Sequence, residues 1–106
     1  MTEMLLSKQS QALLADPILG MQDINSTVQR LIEGEYLRQI AHHRRIVQAL
    51  AQKYGMDFDQ FVTKGITAQL GYSWEVEQDA MNWESAIGGM LTAQRKLSEL
   101  QAISHD

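Results

Sequence analysis

The sequence predicts an all-α fold: a long antiparallel helical hairpin with shorter flanking helices, bundle-like and dimeric. Three observations lead there. A single proline, few β-branched runs, and Ala, Leu, Gln, Glu and Arg spread through all 106 residues favour helix over sheet. Two long stretches carry apolar residues at helical spacing, one from Val28 to Tyr54 and one from Val76 to Leu97. Gly55 and Gly71 separate these stretches, each followed within two residues by a helix-capping residue, Asp57 and Ser73.

A single domain, 1–106, is expected in four parts: an N-terminal helix and turn (1–25), a long helix (26–55), a short helix (57–71) and a second long helix (73–102). The first segment, Glu3 to Ala15, is weakly amphipathic and stops at Asp16-Pro17, where aspartate caps a new turn and proline suits its first position. Gly20 keeps that turn short. Ser26 with Gln29 forms a capping-box signature, and Leu31, Ile32, Tyr36, Ile40, Ile46, Val47, Leu50 and Tyr54 then share one helical face. Asp57 with Gln60 repeats the signature and opens the short helix, whose buried edge is Phe58, Phe61 and Val62. Ser73 caps the last helix, with Glu75 and Glu77 at the positive end of its dipole. Its stripe runs Val76, Ala80, Trp83, Ile87, Met90, Leu91 and Leu97. Gly88-Gly89 interrupts it, which means a kink or a close approach by another backbone.

Length bears on assembly. Val28 to Tyr54 spans roughly 40 Å as a helix, whereas a compact domain of this size spans about 35 Å. Two overlong helices with apolar stripes would be covered by pairing two hairpins, so a homodimer is expected. The net charge of −4 disfavours a surface built to coat phosphate backbones, and the chain holds no cysteine for a disulfide or thiolate site. No apolar run reaches a membrane span's ~20 residues, and the start lacks a signal-peptide pattern, so a cytoplasmic protein is expected.

Charge is uneven. Val28 to Tyr54 holds five basic and two acidic residues, a net of +3, while Gly55 to Met90 holds one basic and six acidic, a net of −5. Pairing between the two halves is one use of that asymmetry, and a partner of opposite charge is another. In His42-His43-Arg44-Arg45 the adjacent histidines point 100° apart and cannot share one metal ion, and Gln39 stands where a carboxylate–histidine metal helix needs glutamate. His43 and Gln39 fall inside the apolar stripe and are expected to form a shielded, hydrogen-bonded pair. No serine nucleophile, phosphate-cradling loop or histidine–carboxylate motif is present, so neither catalysis nor a cofactor or metal is expected.

The candidate site is a protein-binding face. Trp83 belongs to the main stripe of the last helix, but Trp74 and Met81 lie about 150° away from it and, with Gly88, form a second apolar face. Glu77, Gln78 and Glu84 rim this face, a polar border around an aromatic centre as in interface hot spots. Coverage by the short helix is the competing expectation. Leu37 on the long helix is likewise off its own stripe.

The runs Lys53-Tyr54-Gly55-Met56-Asp57-Phe58-Asp59-Gln60-Phe61 and Tyr72-Ser73-Trp74-Glu75-Val76-Glu77-Gln78-Asp79-Ala80-Met81-Asn82-Trp83-Glu84 resemble small helical bacterial antitoxin-like proteins of toxin–antitoxin pairs. The likeness covers Ile46 to Leu100. It implies a helical body without an active site that binds and neutralises a small, basic toxin. Two alternatives stand beside it. One is a DNA-binding regulator using the helix-turn-helix-like spacing around 46–64, although its leading residues are acidic or aromatic where base and phosphate contacts need Arg, Lys, Asn or Gln. The other is a structural subunit of a helical assembly.

Overall fold

The computed structural model describes the backbone of residues 19–104 and the side chains of residues 23–103. The expected N-terminal helix at Glu3–Ala15 and the turn at Asp16-Pro17 lie outside the described residues. Four helices follow in order: α1 (Leu19–Tyr54), α2 (Phe58–Thr63), α3 (Ile66–Gln69) and α4 (Trp74–Ser104), with no strand among the described residues. Two compact units are distinguished, residues 1–34 and 35–106, and α1 contributes to both.

In the first unit, α1 already runs through Gly20 and Ser26, so the expected start at Ser26 is corrected to Leu19. A capping box acts only where a helix has free N–H groups. Upstream residues supply carbonyls to Ser26 and Gln29, and the 36-residue helix absorbs the modest propensity cost of Gly20 and Ser26. Ile24, Val28, Leu31 and Ile32 of this unit are exposed.

The second unit is a helical hairpin with two short helices at its closed end. Gly55 ends α1 in the left-handed region at φ +67°, which lets the Met56 N–H donate back to the Ala51 carbonyl at 3.2 Å. Asp57 then caps α2 as the sequence predicts: its carboxylate accepts from the Gln60 N–H at 2.8 Å, and the Gln60 side chain accepts from the Asp57 N–H at 3.2 Å. The single helix expected over 57–71 is two. Gly65 takes φ +62° between them, breaking the α-helical path after Val62 and Thr63, whose β-branched side chains hold a helix weakly.

Ser73 opens α4 by accepting from the Val76 N–H at 3.3 Å. The helix continues through Gly88-Gly89 to Ser104. What approaches there is a side chain: a Cβ placed on Gly89 would lie 2.5 Å from His43 Nε2, while one on Gly88 would meet nothing within 4 Å. Gly89 is thus the socket for the His43 ring.

His43 at Gly89, and Lys53 at Glu75 and Asp79, place α1 and α4 antiparallel. Their shared core is aromatic. Trp83 is fully buried, its ring stacked on Tyr54 at 5.9 Å and tilted against Phe58 at 5.3 Å and Phe61 at 5.2 Å. Leu50, Phe61 and Val76 complete the buried set, with Ile46, Val47, Met56 and Ile66 packed around it. Val62, expected at the buried edge of the short helix, is exposed. Further along α4 the buried residues are Ala86 and Ala93, while Leu91 is exposed. A straight helix drifts about 20° per heptad against a seven-residue contact line, which carries Leu91 off the seam and brings the alanines onto it.

Candidate protein-interaction surface

The outward side of α4 is set by its inward side. Trp83 anchors the core, and at 100° per residue Trp74 and Met81 lie roughly 160–180° away from it, pointing out of the hairpin. They are 78% and 63% exposed. Neither α2 nor α3 covers them, because Phe58 and Phe61 of α2 are drawn to the opposite side of α4 by Trp83. Leu70 and Tyr72, in the turn before α4, are exposed as well. Tyr72 takes φ +54°, an unusual conformation for a residue with a Cβ, and was not among the residues that periodicity selects.

Glu77 and Glu84 are exposed beside this apolar pair and make no ion pair among the described residues, so their charge is open to solvent. Gln78 is partly buried and donates to Asn82 Oδ1 at 3.2 Å. The structure therefore brings Trp74, Glu77, Met81 and Glu84 onto one exposed face, with Gln78 at its edge and Gly88 open beyond them.

The other carboxylates of α4 serve the fold. Lys53 Nζ contacts Glu75 Oε2 at 2.5 Å and Asp79 Oδ2 at 2.6 Å, and the Tyr54 hydroxyl donates to Asp79 Oδ2 at 2.5 Å. Hydrogen bonds from Lys53 and Tyr54 hold the Asp79 carboxyl below the usual carboxylate range. Burial, reinforced by the bond to Asp79, pushes the Tyr54 hydroxyl up to about 12, and the bonds to Asp79 and Glu75 raise the Lys53 ammonium. Among the described residues, this lysine alone pairs the basic stretch with the acidic one. Arg38 turns instead to Glu35 on its own helix at 2.8 Å, and Arg44 and Arg45 are exposed without an ion pair among the described residues.

The expected Gln39–His43 pair does not form. Gln39 donates to Glu35 Oε2 at 3.1 Å, a carboxylate one turn away and a stronger acceptor than a neutral imidazole. His43 is half-buried against Gly89, with Nδ1 shielded and without a hydrogen-bond partner. It lines a groove of about 260 Å³ with Ile46, Asn82, Ser85 and Ala86. A second groove, of about 300 Å³, lies beside Phe58, Asp59 and Trp83. In the helix-turn-helix-like stretch 46–64, Ile46, Val47, Leu50, Tyr54, Phe58 and Phe61 all go to the core, and α2 is only six residues long.

The chain matches no protein-family model, and no curated protein and no solved structure is significantly similar to it. Among the described residues, no three His, Cys, Asp or Glu side chains converge as a metal-binding group, and no helix is long and apolar enough to cross a membrane.

Proposed function

We propose that this protein is a non-catalytic interaction module that binds a small basic protein through the Trp74–Met81 face, in the manner of a bacterial antitoxin neutralising its toxin. The observation that carries the reading is the exposure of a tryptophan and a methionine together, on the side of α4 away from its core. Covering an indole of roughly 200 Å² is worth about 25 cal/mol per Å², several kcal/mol before association entropy is subtracted. The uncompensated Glu77 and Glu84 would steer a basic partner, and the apolar centre would hold it. The antitoxin form of the proposal rests on the resemblance in residues 46–100, and it carries a cytoplasmic location with it.

The test is co-expression in a bacterial host with the product of the adjacent reading frame, chosen when that product is small and basic. Neutralisation requires that the product arrest growth, that this protein restore it, and that Trp74→Ala restore it poorly while keeping its helical circular dichroism. Restoration by Trp74→Ala as complete as by the wild type removes this face from the function.

A further inference from the structure

The hairpin carries a second charged face without an ion pair among the described residues, and it points the other way. On α1, Arg44, Leu37 and Arg45 lie at roughly 120°, 140° and 220° around the helix from the buried Leu50, a sector of about 100° on its far side. Leu37 is 55% exposed, and the two exposed arginines follow it about two turns further along the same helix. Because Leu50 and Trp83 face each other across the core, the outer faces of α1 and α4 look in opposite directions. The basic outer face of α1 therefore cannot reach the acidic outer face of α4 within one molecule.

We propose that the free protein covers its Trp74–Met81 face with the Leu37–Arg44–Arg45 face of a second copy, head to tail. The proposal rests on the reading of the Trp74 face as a docking surface and names a second occupant for it. Charge complementarity selects the pairing: Glu77 and Glu84 meet Arg44 and Arg45, with Trp74 and Met81 as the apolar part of one face and Leu37 as that of the other. A two-fold pairing of α4 with its own copy would instead crowd four carboxylates around Trp74 and Met81, and like-charge juxtaposition opposes it. An interface between two different faces does not close on itself at the dimer, so copies add in series until a ring or a limit of concentration stops them. A basic partner binding at Trp74 then competes with assembly.

Sedimentation velocity on the full chain tests this with wild type, Glu77→Arg/Glu84→Arg, Arg44→Glu/Arg45→Glu, and a 1:1 mixture of the two variants. None of the four substituted side chains makes an ion pair among the described residues, and circular dichroism monitors the fold of each variant. The wild type is expected to grow in mass with concentration and to dissociate as salt rises. Each variant alone should associate roughly tenfold or more weakly, and the mixture should recover association, because one variant's reversed face meets the other's. A wild type that stays at 12.0 kDa at every concentration overturns the proposal. So does Arg44→Glu/Arg45→Glu assembling as the wild type does. Neither result touches the basic-partner reading, which stands or falls on Trp74→Ala in the neutralisation assay.

Discussion

Two adjacent glycines in α4 should respond differently to alanine: a gain in stability at one, none or a loss at the other. Both lie in a helix interior, where alanine is favoured over glycine by about 1 kcal/mol. At Gly88 a Cβ meets nothing within 4 Å, so Gly88→Ala should gain most of that amount. At Gly89 the same atom would lie 2.5, 2.7 and 2.9 Å from His43 Nε2, Cε1 and Cδ2, a contact that must be relieved by moving the ring or separating the helices. Overpacking of this kind costs about 1–3 kcal/mol, which cancels or outweighs the propensity gain. The two variants should thus differ by about 1–3 kcal/mol, readable in urea as midpoints moving apart by at least roughly 0.3–1 M. Removing the ring supplies the control: in a His43→Ala background, Gly89→Ala should become stabilising by about 1 kcal/mol, as Gly88→Ala is. Equal stabilisation by both alanines with His43 present would show that the ring swings aside freely, and the socket would then contribute nothing to the register of α1 on α4.

The Lys53–Tyr54–Asp79 cluster makes stability depend on pH at both extremes. Asp79, held below its ordinary value, contributes above its unfolded pKa of about 3.9 and loses that contribution as pH falls through the folded one. Tyr54, raised to about 12, contributes fully below its unfolded pKa of about 10 and loses this as pH climbs toward 12. Urea midpoints of Asp79→Asn should therefore fall less steeply in acid than those of the wild type. Its alkaline fall should be only partly reduced, since burial is the larger cause of the tyrosine shift; an unchanged acid limb would refute the role given to Asp79. In dilute protein at high salt, where copies are apart, fluorescence quenching by acrylamide should resolve one accessible and one protected tryptophan, because Trp74 is exposed and Trp83 is fully buried within one molecule. Trp74→Phe should leave only the protected one, and a remaining accessible fraction would contradict the burial of Trp83.

What could be read from the sequence was whatever is decided locally. The Asp57–Gln60 box, the left-handed Gly55 and the Ser73 cap each depend on a few adjacent residues, and all three stand in the structure. Ser26–Gln29 carries an equally good local signature that fails because the chain before it is already helical. Gly65 was ambiguous in the other direction: glycine is tolerated in helices, and nothing nearby marks it as the place where a helix breaks. Contacts between helices were harder still. Ala86 and Ala93 are buried because α1 approaches there, and alanine gives no periodic signal of its own. The use of Gly89 depends on His43, forty-six residues earlier, whereas Gln39 was lost to the nearer carboxylate of Glu35. Trp74 and Met81 were separable from Trp83 by angle alone, since a straight helix with one buried tryptophan determines which side the other occupies.

Calorimetric titration of the product of the adjacent reading frame, chosen when that product is small and basic, into wild type and into Trp74→Ala tests the interaction face most directly. A loss of about 2 kcal/mol or more, roughly thirtyfold in Kd, is expected for the alanine variant with its helical circular dichroism retained. Equal affinities for the two proteins would contradict the account and leave the acidic side of α4 as solvated surface.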